Sequence, residues 1–143
     1  MPAITYFDSS ALVPLVIAEP TTARCNGIWD QADAMVTTTL SFVEVHAAIA
    51  QAARQGRLGE AEHRRALAAF EARWGDMVHV TPGDAILANA AHLAAAHALR
   101  GYDAIQCATA LAVASDDFIA VGGDRDLLRA WSDLGVATVD VGG

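Results

Sequence analysis

Ala3-Ile-Thr-Tyr-Phe7-Asp8-Ser-Ser10-Ala-Leu12 joins a short apolar run to a helix-like stretch through a single aspartate. Residues 3–7 read as a buried strand and residues 9–17 as the helix that follows it. Pro14 falls inside that helix and removes a backbone donor, so the helix is expected to be short or kinked. The same design returns late in the chain. Residues 118–121 (Phe-Ile-Ala-Val) read as a strand, followed across Gly122-Gly123 by Asp124 and a short helix over 126–132. Between and beyond them lie strand-like runs at 34–37, 77–80 and 136–139. Helical stretches are expected over 21–31, 40–55, 60–74, 82–100 and 102–114. Strands separated by helices imply right-handed crossovers, hence a three-layer α/β/α fold around a central, mainly parallel sheet. No repeat, Pro/Ser linker or charge block interrupts the 143 residues, so residues 1–143 are expected to form a single domain.

Hydrophobic residues make up 54% of the chain and charged residues 18%, which allows a full core and excludes wholesale disorder. Nine basic groups against seventeen acidic ones give a formal charge of −8, so contact with nucleic acid must rest on local arginines. All nine basic residues are Arg. Without lysine there is no Walker A loop, no Schiff-base lysine and no lysine-assisted aspartyl phosphate. Phosphatases of the aspartyl-phosphate class also want a second Asp two residues after the first, where this chain has Ser10. Cys25 and Cys107 stand far apart without metal-ligand spacing, which suits reduced thiols in the cytoplasm. The start has no basic leader, so no secretory signal is expected. The longest charge-free stretch, 85–99, contains Asn89, His92 and His97 and is too short to span a membrane. A mean hydropathy of +0.30 points to apolar surface covered by a partner or a second copy.

In an open parallel sheet, ligands bind beyond the carboxyl ends of the strands. Asp8 and Asp124 each follow a strand and should project at that edge. Glu44 lies early in the helix at 40–55, where Ser41, Glu44 and Gln51 form a narrow polar stripe among apolar neighbours. Asp103 opens an otherwise almost uncharged helix. Singly, each acid has an ordinary reading: Asp8, Asp103 and Asp124 as helix-cap or first-turn acids, and Glu44 as part of a solvated face. Together they would need a cation to ionise in a half-buried site. Oxygen-only ligands suit Mg²⁺ or Mn²⁺, ions that acidify water and clamp a phosphodiester.

Four segments carry a resemblance. They are Tyr6-Phe-Asp8-Ser-Ser10-Ala-Leu12, Leu40-Ser-Phe-Val-Glu44, Leu99-Arg-Gly-Tyr-Asp103-Ala-Ile-Gln-Cys-Ala-Thr-Ala-Leu111 and Gly122-Gly-Asp124-Arg-Asp-Leu127. Their order and separations resemble the PIN-domain family, and within it the VapC-type ribonuclease toxins of prokaryotic toxin–antitoxin pairs, along nearly the whole chain. The resemblance implies an endoribonuclease that hydrolyses RNA with Mg²⁺ or Mn²⁺, a cognate antitoxin that blocks the acidic pocket, and a homodimer. It carries the metal ligands over to Asp8, Glu44, Asp103 and Asp124, with Ser10 as the hydroxyl supporting the first Asp. Gly122 departs from the Ser or Thr usual in the family two residues before the last Asp, and Pro14 is also unusual. The rival reading is a catalytically idle PIN-like interaction module whose acids receive an arginine from a partner. Nothing in the sequence separates RNA from DNA by its 2′-OH.

The remaining candidates carry less. Arg125, beside Asp124, is placed to steer phosphates, and Asp126 is read chiefly as a helix cap. The five histidines lack ligand spacing, since His92 and His97 are five apart. Trp29, Trp74 and Trp131 read as core, and Arg54, Arg57, Arg64 and Arg65 as a solvated basic patch. The small apolar residues of 40–55 and 60–74 make these two helices the expected antitoxin groove.

Overall fold

A computed structural model describes residues 4–142. Ala3, expected to open the first strand, lies outside the described residues. The elements are β1 (Ile4–Phe7), α1 (Ser9–Val16), α2 (Thr22–Gln31), β2 (Ala34–Thr38), α3 (Leu40–Arg54), α4 (Glu60–Asp76), β3 (Val78–Val80), α5 (Asp84–His97), α6 (Gly101–Val113), β4 (Phe118–Gly122), α7 (Arg125–Asp133) and β5 (Thr138–Asp140). All strand pairs are parallel and the order across the sheet is β3-β2-β1-β4-β5. From β1 the chain winds outward through β2 and β3, then returns to the other side of β1 with β4. The switch point therefore lies between β1 and β4, the place where a parallel sheet opens a crevice at its carboxyl edge.

Side chains alternate across the strands and sort into two cores. Tyr6, Val36 and Ala120 face α5, α6 and α7, packing with Leu93, Cys107, Leu127 and Trp131. Phe7 and Val121 face the other way, with Leu12, Trp29, Ile49 and Phe70 of α1 to α4. Trp29 and Trp131 are core residues as expected, whereas Trp74 is only half-buried and stacks on His79 at 4.1 Å. Both cysteines are buried and free.

Several element ends differ from the sequence reading. The helix expected over 82–100 starts at Asp84 and stops at His97. Gly83 is extended at its start, and Ala98 turns left-handed (φ 53°, ψ 44°) at its end. This turn buries Leu99, leaves Arg100 extended, and lets α6 begin at Gly101, so that Asp103 sits in the first turn of a new helix. β3 and β5 are shorter than expected because each pairs on one side only. Met77 instead caps α4, and Val136 bonds back to Trp131. Helix α1, with Pro14 inside, is eight residues long.

Candidate active site

Asp8 extends the β1–β4 ladder by donating its N–H to Val121 O at 3.0 Å, and its carboxylate caps α1. Oδ2 accepts from Ser10 N at 3.3 Å and from Ser10 Oγ at 2.5 Å. Ser10 Oγ in turn accepts from Gly123 N at 2.8 Å. One hydroxyl thus ties the end of β1 to the end of β4. A Cβ at Gly122 would rest 3.4 Å from Asp8 Cβ and 3.5 Å from Asp8 Oδ2, ordinary contact. With glycine at 122, the hydroxyl on Asp8 is that of Ser10.

Asp124 caps α7, its Oδ1 accepting from Leu127 N at 3.0 Å, while Oδ2 lies 3.6 Å from Arg100 Nη2. Arg100 also reaches Asp103 Oδ2 at 3.5 Å. Glu44, half-buried on α3, accepts through Oε1 from Gln106 Nε2 at 2.7 Å. A cavity of about 370 Å³ lies between Glu44, Arg100, Gly101, Tyr102 and Asp103. Asp8, Ser10, Glu44, Asp103 and Asp124 therefore stand at one edge, around the switch point. Asp124 takes the capping position open to Asp126, which is exposed, paired with Arg129 at 3.0 Å, and adds to the repulsion on Asp103. Arg125 is exposed on α7. Three residues of the quoted segments, given no role from sequence, belong here: Arg100 and Gln106 touch the acids, and Tyr6 reaches them through Gln106. The histidines stay out of the site; His46 bonds to Phe42 O and His79 to Trp74 O.

Electrostatics couple the acids. Burial, with added repulsion from Glu44 and Asp103 and against the bonds from Ser10, pushes the Asp8 carboxyl up to about 7. Burial and Asp103 raise Glu44. Burial and Asp124 raise Asp103, with Arg100 opposing. Among the described residues, Asp8 and Glu44 form no ion pair. The donor set is carboxylate oxygen alone and its charge exceeds the single Arg100, which fits a hard divalent cation in kind and in charge. Among the described residues no three acid, His or Cys side chains stand close enough to enclose an ion.

A family model for the PIN domain matches residues 5–130. Ribonuclease VapC45 of Mycobacterium tuberculosis is 39% identical over 124 residues, 87% of this chain and 86% of that protein. Among solved structures, PAE2754 from Pyrobaculum aerophilum superposes with a TM-score of 0.72 at 20% identity, covering 99% of this chain and 92% of the other. VapBC-5 from Mycobacterium tuberculosis, described as a member of the VapBC family of toxin–antitoxin systems, superposes with a TM-score of 0.66 at 20% identity, covering 97% and 99%. These two likenesses show the fold.

The raised Asp8 carboxyl has a consequence for stability. The folded chain holds a proton that the unfolded chain, with its carboxyl near 3.8, has already released. The fold is therefore favoured at low pH and loses this advantage as pH rises through about 7, at about 1.4 kcal/mol per pH unit. In EDTA, the melting temperature should fall between pH 5 and 7 more steeply for the natural chain than for Asp8→Asn, which is neutral throughout. Parallel slopes in thermal melts of the two proteins would contradict the buried, raised carboxyl.

Proposed function

This chain belongs to the PIN-domain family, and we propose that it is a Mg²⁺- or Mn²⁺-dependent endoribonuclease, the toxin of a toxin–antitoxin pair. The observation that carries the reading is the delivery of Asp8, Glu44, Asp103 and Asp124 from four elements to the switch point of a parallel sheet. These four carboxylates would hold the ion. When bound, the ion supplies charge compensation and an acidified water for in-line attack on an RNA phosphodiester. The same carboxylates would position the attacking water and accept the proton that it gives up. Ser10 holds Asp8 in place through Oδ2. Arg100 and Arg125 flank the acids and meet the phosphates of an RNA that an overall charge of −8 would otherwise repel.

Loss of one ligand charge tests this directly. Asp8→Asn and Asp103→Asn should each lower metal-dependent RNA cleavage by roughly a hundredfold or more while the protein stays folded. Wild-type cleavage by either folded variant would refute the site. Millimolar Mn²⁺ should raise the melting temperature relative to EDTA, and less so in Glu44→Gln, because the ion binds the folded state. Identical melting curves in Mn²⁺ and EDTA would count against a metal pocket, and absence of cleavage by the pure natural chain would favour the idle module.

Between α3 and α4, the two helices expected to form the antitoxin groove, the seam is closed. That seam is filled by Phe42, His46, Phe70 and Trp74, whose rings pack together. The open hollow, about 310 Å³, runs instead along the other side of α3, lined by Leu40, Val43, Ala47, Ala48, Gln51 and Tyr102. Val43 (62%) and Tyr102 (63%) are its most exposed apolar residues. No described helix is long and apolar enough to cross a membrane, and the two buried free thiols suit the cytoplasm. We assign the hollow to an apolar antitoxin segment and expect a homodimer of the free chain. Ala48→Arg should weaken antitoxin binding about tenfold or more, the scale of one lost anchor, with RNA cleavage by the free protein retained. Titration calorimetry giving wild-type affinity would move the groove, and a strictly monomeric free chain by light scattering would remove the dimer.

A further inference from the structure

Gln106 is a fully buried amide in the middle of a helix whose neighbours are almost all apolar. It lies on α6 one turn beyond Asp103. Every polar hydrogen and the oxygen of its side chain are in use. Nε2 donates to Glu44 Oε1 at 2.7 Å and to Ser41 Oγ at 3.0 Å. Oε1 accepts from the fully buried Tyr6 hydroxyl at 2.6 Å.

The direction of each bond is fixed by chemistry. A carboxylate accepts and does not donate, so the NH₂ must face Glu44. The carbonyl oxygen then faces Tyr6, whose hydroxyl supplies the proton. Turning the amide over would set its oxygen against the Glu44 carboxylate and its NH₂ against a phenol. The chain of donors continues outward. Ser41 Oγ lies 2.7 Å from Thr37 Oγ1, and Thr37 Oγ1 donates to Phe7 O at 2.7 Å. Ser41 is therefore the donor to Thr37. Phe7 immediately precedes Asp8. The network thus runs from β1 through β2 and α3 to α6, the elements that carry or adjoin Asp8, Glu44 and Asp103.

An apolar side chain of the same shape at 106, with Phe at position 6, would pack without these obligations, since replacing both partners of a buried hydrogen bond is nearly neutral for folding. What an apolar residue cannot do is hold the Glu44 carboxylate. Resting on the metal-site reading above, we propose that Gln106, oriented by Tyr6, is a positioning residue that fixes the Glu44 carboxylate for a divalent cation.

The test is a double-mutant cycle with two readouts, Mn²⁺ affinity by titration calorimetry and single-turnover cleavage of RNA. Gln106→Met should weaken Mn²⁺ binding by roughly tenfold to a hundredfold, the scale of losing a hydrogen bond that orients a ligand, and lower the single-turnover rate constant with the enzyme concentration for half-maximal rate little changed. Tyr6→Phe should give a smaller loss in the same direction. In the Glu44→Gln background, Gln106→Met should cost nothing further, because the group it acts on is gone. Should Gln106→Met fold poorly by stranding the Tyr6 hydroxyl, Tyr6→Phe/Gln106→Met removes both partners and takes its place. Wild-type Mn²⁺ affinity in a folded Gln106 variant, or additive losses on top of an impaired Glu44→Gln, would overturn the positioning role and leave the site assignment standing. Wild-type metal binding and cleavage in Glu44→Gln would sink the assignment of Glu44, and this inference with it.

Discussion

A carboxylate removed from water must be protonated, hydrogen-bonded or matched by a cation, and Asp8 is only 3% exposed. Its position is not optional for the fold, because its N–H continues the β1–β4 ladder and its side chain caps α1. The acid is thus driven into the crevice by the same hydrogen bonds that start the helix. Glu44 and Asp103 then add repulsion to the desolvation. The edge of the sheet is built as a site of unmet negative charge, and that is the property a hard cation answers.

The ordinary and the functional readings of these acids turn out to be compatible, because a carboxylate has two oxygens. Asp124 uses Oδ1 to cap α7 and presents Oδ2 toward Arg100. Asp8 takes both Ser10 bonds on Oδ2. Helix N-termini favour nearby negative charge, so Asp8, Asp103 and Asp124 are each offset in part by the helix they begin. Glu44 has no such help on the second turn of α3, and Gln106 provides its hydrogen bond instead. Leaving one group of that buried network unpaired would cost about 1–3 kcal/mol, which is why the amide, the phenol and the hydroxyls come as a set.

The alternation of strands and helices was legible because β1 and β4 are continuous apolar runs, each followed by an aspartate and a helix. Glu44 was legible as a lone charge in an apolar helix. What stayed hidden depended on distance along the chain. Tyr6 and Gln106 are 100 residues apart, and neither residue alone suggests a hydrogen bond inside the core. Arg100 read as one residue of a continuous helix, since nothing in Ala-Leu-Arg announces that Ala98 would turn left-handed without a glycine. That turn frees Arg100 to reach Asp124 and starts the helix that carries Asp103. Alanine content marks where a helix can be approached, but it does not say which side of α3 is already filled by Phe42, Phe70 and Trp74.

The acidic cavity and the apolar hollow share a wall, since Glu44 and Tyr102 line both. Glu44 stands on the helix that forms the hollow's floor, and Tyr102 adjoins Asp103 at the start of α6. A segment seated along Val43, Ala47 and Ala48 therefore ends against the residues that border the acids. Apolar side chains suffice for the hollow, but the segment's next residue would meet a cluster of carboxylates whose ion-pair partner among the described residues is Arg100. A positive charge at that point is favoured over any other, and it would compete for the same oxygens as a divalent ion. On the reading proposed above, a partner seated in the hollow would thus meet Glu44 and Tyr102, the two side chains that also line the acidic cavity.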